Sequence, residues 1–132
     1  LCSTTECQRR GQQHNEGEWC FLGQVHLSNG AYSQAYTSLK KSIDLDPDNA
    51  KSYYYLGLYY RVKKDLPKAE YNFIKTIKID SNNAKAHGNL GLIYFEKKRY
   101  NKSKSHFKRA LEINPQDEIA RKKIRTLERN GF

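Results

Sequence analysis

The sequence contains no methionine, only three prolines and only three cysteines among its 132 residues. With eight glycines and 37% hydrophobic residues, the composition is that of one ordered domain rather than of a disordered chain. No run of about 18 apolar residues is available to cross a bilayer, so we expect no transmembrane segment. Because the chain starts at Leu1 rather than at a methionine, we expect a fragment or a processed form whose targeting signals are not visible.

Residue patterns that carry chemistry are also missing. Cys2, Cys7 and Cys20 are too few for a fold built on disulfides and lack the paired spacing of a zinc site. Cys2, Cys7 and His14 make at most a weak partial set of metal ligands. There is no glycine-rich phosphate loop, no histidine pair at i, i+4 and no order of residues typical of a nucleophilic triad. We therefore expect no enzyme, no cofactor and no metal.

Acidic side chains are scarce in the larger, second part of the chain. Residues 1–49 carry a net charge of −2, whereas residues 50–132 carry 20 basic and eight acidic side chains, a net +12. Such asymmetry is typical of proteins that bind nucleic acid or an acidic partner. A lysine-rich surface that only contacts solvent gives the same excess of basic residues. The position of the lysines on the fold has to decide between these interpretations.

A repeat of 34 residues is the strongest pattern present. The dipeptide Leu-Gly recurs at this spacing, at Leu22-Gly23, Leu56-Gly57 and Leu90-Gly91. In this frame the units are 16–49, 50–83 and 84–117, and the second and third share 11 identical residues. An exact period of this length indicates a stack of similar structural units.

Each unit is predicted to contain two amphipathic helices. The first stripe of apolar and aromatic residues follows the i, i+3, i+4, i+7 spacing of a helix. It comprises Trp19, Leu22, Gly23 and His26, then Tyr53, Leu56, Gly57 and Tyr60, then His87, Leu90, Gly91 and Tyr94. A second stripe follows a short polar break, and each unit closes with a helix stop. The stops are Asp46-Pro47, Asp80-Ser81 and Asn114-Pro115.

The glycine inside the first helix of each unit needs a packing reason, because glycine costs about 1 kcal/mol against alanine there. We expect the two helices of a unit to approach closely at this point. The small residues that we expect opposite the glycines are Ala35, Ala69 and Ser103.

This pattern resembles the tetratricopeptide repeat. The resemblance covers residues 16–117 and rests on Trp19, the three Leu-Gly pairs, Ala35, Ala69, Phe73, Phe107, Ala110, Pro47 and Pro115. The sequence departs from the family pattern at His26, His87, Ser103 and Ser81. The resemblance implies an all-α fold, a right-handed superhelical array of antiparallel helix pairs. It also implies that His26 and His87 are packing residues, whereas we expect His14 and His106 to be solvated.

The remaining segments extend this organisation at both ends. Residues 1–15 are expected to form an N-terminal lead-in, in which residues 7–14 could start a capping helix. Residues 118–132 are predicted to form a C-terminal capping helix with Ala120, Ile124 and Leu127 on one face. Asn130-Gly131 then provides a helix stop.

The resemblance implies that partners bind on the concave surface lined by the first helix of each unit. The predicted groove residues are Phe21, Gln24, Lys51, Tyr54, Tyr55, Leu58, Arg61, Lys85, Asn89, Leu92, Phe95 and Lys122, with Cys20, Leu27, Val62, Glu96 and Lys123 beside them. Phe21, Leu58 and Leu92 are also open to a purely structural interpretation, as contacts to the neighbouring helix.

Apolar groove residues with cations at the edges predict a non-enzymatic adaptor that binds a peptide or helix with apolar and acidic residues. One subclass of these repeats grips the C-terminal carboxylate of chaperone tails with lysines and asparagines. Cys20, Gln24 and Tyr55 stand where that clamp requires lysine or asparagine, and Lys85 alone fits. We therefore do not expect a chaperone-tail adaptor. The groove lysines could equally serve only to keep the array soluble.

The other basic residues are predicted to lie on turns and second helices, on the convex side. They are Lys63, Lys64, Lys68, Lys75, Lys78, Lys97, Lys98, Arg99, Lys102, Lys104, Lys108 and Arg109. A nucleic-acid site requires stacking residues and cations on one surface. Because these residues are not expected to interleave with aromatics, we expect no nucleic-acid partner.

Two further interpretations stay open. The start Cys2-Ser3-Thr4-Thr5 and the segment 90–107 are similar to tetratricopeptide lipoproteins that assist secretin assembly for type IV pili. That similarity would imply a lipid anchor and the bacterial periplasm rather than the cytoplasm. Alternatively, the chain is a self-associating scaffold in which one molecule's cap or tail occupies another's groove.

Overall fold

A computed structural model describes residues 15–132, and all regular structure in this range is α-helical. The helices are α1 (Glu16–Ser28), α2 (Tyr32–Leu45), α3 (Ala50–Val62), α4 (Leu66–Ile79), α5 (Ala84–Glu96), α6 (Tyr100–Ile113) and α7 (Glu118–Arg129). Each odd-numbered helix up to α5 packs along the helix that follows it, and the pairs stack in sequence order. The prediction of an all-α, right-handed superhelical array is confirmed.

The first helix of each pair and the cap α7 begin in the same way. Asn15, Asn49, Asn83 and Asp117 are N-cap residues spaced 34 residues apart, and each side-chain oxygen accepts a hydrogen bond from a backbone amide of the first turn. The distances range from 2.8 Å at Asn15 to 3.3 Å at Asn49. Such caps satisfy amides that have no partner within the helix.

The second helices end at the predicted stops. The side-chain oxygens of Asp46, Asp80 and Asn114 accept hydrogen bonds from the amide two residues on, at 3.1, 3.2 and 3.2 Å. These local hydrogen bonds stabilise a turn at the residue where each helix ends. Within a pair, the turn needs a left-handed residue, which is Gly30 at φ 77° in the first pair but Lys64 and Lys98 at about 60° in the others.

The repeated glycines mark a helix crossing, but the residues that fill the space differ from the prediction. A Cβ atom on Gly57 would lie 2.7 Å from the Phe73 ring, and one on Gly23 would lie 2.5 Å from Leu39 Cγ. The glycine therefore makes room for a large side chain of the second helix, and the expected small partners do not explain it alone. The small residue does approach the backbone, since Ser103 Oγ donates to the Gly91 carbonyl at 2.7 Å.

Two buried hydrophobic clusters lie in the stack. One buried cluster centres on Phe73, Leu90 and Ile93, and a second joins Phe107 to Ile124 and Leu127 of α7. The cap thus buries the apolar face that the sequence predicted for it. None of the helices between residues 15 and 132 is long and apolar enough to cross a membrane.

The junction between the first two repeats contains a buried polar contact. Ser42 of α2 and Ser52 of α3 are fully buried, with their hydroxyl oxygens 2.7 Å apart. Ser42 also donates to the carbonyl of Glu16 at 2.6 Å. The residues 34 and 68 positions on are Thr76 with Ala86, and Ala110 with Ala120, so the later junctions are less polar at this point.

Candidate binding surface

The predicted groove residues all lie on α1, α3, α5 and the cap α7. Among these first helices, α1 packs directly against α3. Three of the predicted residues, Phe21, Leu58 and Leu92, were also open to interpretation as contacts to the neighbouring helix. Phe21 is 45% exposed, whereas Leu58 and Leu92 are half-buried against the two core clusters. Phe21 is therefore available to a partner over much of its ring, and the other two offer only part of their surface.

Tyrosines occupy the middle of this surface. The rings of Tyr54 and Tyr55 have centroids 5.2 Å apart in an edge-to-face arrangement, and Tyr54 also lies 5.9 Å from Phe73. Burial raises the pKa of both tyrosine hydroxyls, with the neighbouring Cys20 adding to the effect at Tyr55. Both are therefore neutral at physiological pH, and Tyr54 is partly a structural residue of the core.

A polar contact joins α3 to α5 beside these rings. Arg61 donates from Nη1 to Asn89 Oδ1, while Asn89 Nδ2 donates to the Lys85 carbonyl at 2.8 Å. Asn89 also lowers the pKa of the Tyr54 hydroxyl, against the larger effect of burial. The guanidinium is thereby oriented by one nitrogen, and its remaining donors stay available for a carboxylate.

A depression of about 430 Å³ lies where the ends of α1 and α3 meet. Its lining residues are Leu27, Ser28, Leu58, Arg61 and Val62. Val62 is 48% exposed, so the depression combines accessible apolar surface with one cation.

The two neighbouring lysines of the cap differ in what they contact. Lys123 Nζ lies 4.3 Å from the centre of the Phe95 ring, and that ring also contacts Tyr100 at 5.5 Å. Lys122 is exposed. Both lysines were predicted at the groove, but the ammonium of Lys123 covers Phe95, which was itself a predicted groove residue.

The histidines include one pair that the sequence analysis missed. His87 is buried, as expected, but the expectation that His106 is solvated is wrong. His106 is half-buried, stacks on Tyr94 with ring centroids 5.4 Å apart, and places Nδ1 3.3 Å from His87 Nδ1. Burial lowers the pKa of His106, and His87 and Lys102 lower it further. The 19-residue separation of the two histidines crosses from one helix to the next, so no helical spacing predicts it.

Next to this pair, Glu70 joins two repeats. Tyr94 donates its hydroxyl to Glu70 Oε1 at 2.8 Å, and Lys97 donates to the other oxygen. Burial and the Glu70 carboxylate raise the pKa of Tyr94 to about 12. At Glu70 burial favours the neutral form, but the bonds from Lys97 and Tyr94 outweigh it and lower the pKa.

The expectation that the convex basic residues do not interleave with aromatics is wrong. Lys63 Nζ lies 5.2 Å from the centre of the Tyr32 ring, Lys68 lies 5.5 Å from Tyr60, and Lys102 lies 5.2 Å from Tyr94. The contact of Lys63 with Tyr32 joins two repeats, whereas the other two contacts each join the two helices of one pair.

Within residues 15–132, no three histidine, cysteine or acidic side chains converge as a metal site. Cys20 is buried, and burial raises the pKa of its thiol, which therefore stays protonated. The weak ligand set of Cys2, Cys7 and His14 lies outside the described residues, as do the helix expected at residues 7–14 and the lipid-anchor sequence at Cys2.

Helix pairs at a 34-residue period, with a glycine at each crossing, define a tetratricopeptide-repeat protein. The model of one such family, the TPR domain of cytochrome c-type biogenesis protein H, matches residues 8–121, and the chain belongs to this family. None of the curated proteins matches the chain significantly in sequence.

Solved structures are similar over most of the chain. The TPR domain of Arabidopsis OM64 is 23% identical, with a TM-score of 0.80 over 86% of this chain and 94% of that one. The first TPR domain of Spaghetti (RPAP3), bound to the HSP90 peptide SRMEEVD, is 21% identical with a TM-score of 0.81, over 88% and 92%. Pseudomonas aeruginosa PilF is 22% identical with a TM-score of 0.77, over 87% of this chain and 53% of that one. At these identities the likeness establishes the fold.

Proposed function

We propose that this protein is a non-catalytic interaction module that holds a segment of a partner protein on the inner face of α1, α3 and α5. The observation that carries the proposal is the combination on this face of exposed apolar surface, at Phe21 and Val62, with the oriented Arg61 guanidinium. The peptide-bound domain of Spaghetti supports it by showing that this fold accommodates a peptide in that protein.

The partner segment is expected to carry an apolar residue next to an acidic one. An apolar side chain fits the depression beside Val62, and a carboxylate can reach Arg61 from the same place. Cys20, Gln24 and Tyr55 stand where a carboxylate clamp has lysine or asparagine. The proposal therefore concerns an internal acidic and apolar segment rather than a chaperone C-terminus.

Replacement of Tyr55 tests the groove with little damage to the core, since it is Tyr54 that contacts Phe73. We expect Tyr55→Ala to weaken capture of partner proteins by the immobilised chain, quantified by mass spectrometry. Tyr71→Ala is the matched control, because Tyr71 is 66% exposed and lies on α4, outside the inner face. Equal capture by the two variants would remove the groove as the site.

The groove lysines are proposed to steer an acidic partner. Lys51 and Lys85 occupy equivalent, exposed positions on α3 and α5, and Lys122 on the cap is exposed as well. Rim charges act mainly on the association rate and are screened within about 8–10 Å at physiological salt. We expect Lys51→Glu/Lys85→Glu to slow association at low salt, while Lys78→Glu on α4 leaves it unchanged. An unaffected rate in the double variant would assign these lysines to solubility.

Two other functions remain as narrower alternatives. A secretin-assembly lipoprotein requires a lipid on Cys2, which mass spectrometry of the native full-length protein would detect. A self-associating scaffold requires a concentration-dependent mass above that of one chain in light scattering. The family's name links one member to cytochrome c biogenesis, and an assembly role of that kind is compatible with holding a partner segment.

A further inference from the structure

Six side chains form a continuous aromatic and cationic cluster outside the groove, where the first repeat meets the second. We call it the tyrosine seam. It consists of Tyr32, Tyr36, Tyr59, Tyr60, Lys63 and Lys68. Lys63 Nζ lies between Tyr32 and Tyr59, 5.2 and 5.9 Å from their ring centres.

The rings of the seam are also in contact with one another. Tyr36 lies 5.4 Å from Tyr59 and 6.5 Å from Tyr60, measured between centroids. Tyr59 and Tyr60 lie 5.2 Å apart, and Lys68 continues the row beyond Tyr60. Tyr36 is 36% exposed and both lysines are exposed, so the seam is accessible from solvent.

The equivalent positions one repeat later show what packing alone requires. Those six residues are Leu66, Glu70, Ile93, Tyr94, Lys97 and Lys102. Leu66 replaces Tyr32, and a fully buried Ile93 replaces Tyr59. Aliphatic side chains therefore suffice to close a junction at these places, and packing does not account for tyrosines in the first one.

The charges of the two junctions differ as well. In the second, Glu70 accepts from both Lys97 and Tyr94, so the cation is paired. In the first, Tyr36 stands in place of Glu70, and no carboxylate among residues 15–132 lies within ion-pair distance of Lys63. Lys68 has only the partly exposed Asp65, at 3.6 Å.

Further cations extend the seam along the same edge of the array. The turns within helix pairs all lie at this edge, and two of them carry exposed basic residues. These are Lys63 and Lys64 in the second repeat, and Lys97, Lys98 and Arg99 in the third. The edge thus combines several cations with partly exposed aromatic rings.

We propose that the tyrosine seam binds single-stranded nucleic acid, with lysines contacting phosphates and a tyrosine ring stacking on a base. Single-strand binding requires cations and π-faces on one surface, which is the arrangement of the seam. The cation–π contacts of exposed lysines are weak, so the ammonium groups can turn to phosphates. This inference is independent of the proposed groove function and concerns a different face.

An acidic protein segment is the competing occupant. Carboxylates would pair with Lys63 and Lys68 but would leave the row of rings without a role. Bases have faces that stack on tyrosine irrespective of sequence. The aromatic content of the seam therefore favours nucleic acid.

Fluorescence anisotropy with labelled oligothymidylate and oligouridylate tests the proposal, with the purified chain at low salt. We expect Tyr36→Ala and Lys63→Gln each to weaken binding about five-fold or more, whereas Tyr36→Phe retains it. The matched controls Tyr71→Ala and Lys75→Gln alter the same residue types on α4 and should have no effect. Lys63 is exposed at a turn, so its variant reports on binding even if Tyr36→Ala impairs folding. Tyr55→Ala in the groove should leave oligonucleotide binding intact.

An abasic oligonucleotide of equal length separates stacking from charge. We expect the wild-type chain to bind it several-fold more weakly than the oligothymidylate, and Tyr36→Ala to abolish that difference. Three results would each overturn the proposal: no binding of either oligonucleotide by the wild-type chain, equal losses in the seam and control variants, or equal affinity for the abasic strand. Oligoglutamate binding that depends equally on Tyr36 and Lys63 would instead identify an acidic protein as the occupant.

Discussion

The first and second junctions between repeats share one backbone arrangement but differ in chemistry. The first has a buried serine pair inside and the tyrosine seam at its edge. The second buries Phe73 and Ile93 completely and pairs its edge cation with Glu70. The 34-residue period therefore determines how the helices stack. The side chains at each junction can differ, so one junction is more fully packed and another leaves more surface accessible. Four experiments test this contrast, in decreasing order of expected effect.

The largest effect is expected where a ring occupies the space above a helical glycine. Gly57→Ala would bring Cβ to 2.7 Å from Phe73, a fully buried residue in the core of the second junction. We expect a loss of about 1–3 kcal/mol or more in the free energy of unfolding, measured by urea denaturation. The control is Gly88→Ala in α5, where the nearest atom is Asp117 Oδ2 at 3.8 Å. Gly88→Ala should raise the free energy of unfolding by up to about 1 kcal/mol. If both variants shifted the free energy of unfolding in the same direction, the clash with Phe73 would not be the reason for glycine at position 57.

The serine pair should respond to single and double replacement differently. Ser42→Ala leaves the buried Ser52 hydroxyl without its partner, and we expect a loss of about 1–2 kcal/mol in urea denaturation. The double variant Ser42→Ala/Ser52→Ala gives the first junction the alanines found at Ala110 and Ala120, and should be closer to wild type than the sum of the single changes. Additive losses would mean that the two hydroxyls do not interact.

A smaller effect is expected from pH at the histidine pair. Because the pKa of His106 is lowered in the folded protein, the unfolded chain binds a proton more readily there. The free energy of unfolding should therefore fall as pH decreases below the ordinary value of about 6.5. His106→Asn, which introduces the residue of the equivalent position Asn72, should make the decrease shallower in denaturation at a series of pH values. An unchanged slope would exclude His106 as a source of the pH dependence.

The smallest change concerns the turns. Lys98 adopts φ 60°, where the first repeat has Gly30 at φ 77°. We expect Lys98→Gly to raise the free energy of unfolding by about 0.5–1 kcal/mol, since glycine adopts this conformation without a steric cost. If the variant were instead less stable in thermal denaturation, the Lys98 side chain would stabilise the turn by more than its left-handed backbone conformation costs.

Much of the fold was predictable because it depends on regular spacing. The Leu-Gly period, the apolar stripes and the stops each describe local geometry, so they identified the helix pairs and the cap. The partners across the helix crossings were predicted less well. Gly57 indicates that something large is close by, but only the packed structure shows that Phe73 fills the space.

The candidate surface was predictable only in part, for a related reason. Membership of the inner face follows from position on a helix, so all the predicted groove residues lie on α1, α3, α5 and α7. Contacts between helices do not follow from helix periodicity. Lys123 on Phe95, His106 on His87 and Lys63 on Tyr32 each join different helices. A comparison of equivalent residues one period apart, such as Tyr36 with Glu70, is the sequence signal that could have found the tyrosine seam.

The serine pair also bears on the order in which similar units assemble. If the third repeat stacked on the first, within one chain or by exchange between two, Ser42 would face Ala86 in place of Ser52. Its hydroxyl would keep the bond to the Glu16 carbonyl but would lose the bond to Ser52, at a cost of about 0.5–1.5 kcal/mol for one buried hydrogen bond. Units with 11 identical residues out of a 34-residue period are prone to such mispairing during folding. The buried bond between Ser42 and Ser52 therefore favours stacking of the first repeat on the second over stacking on the third.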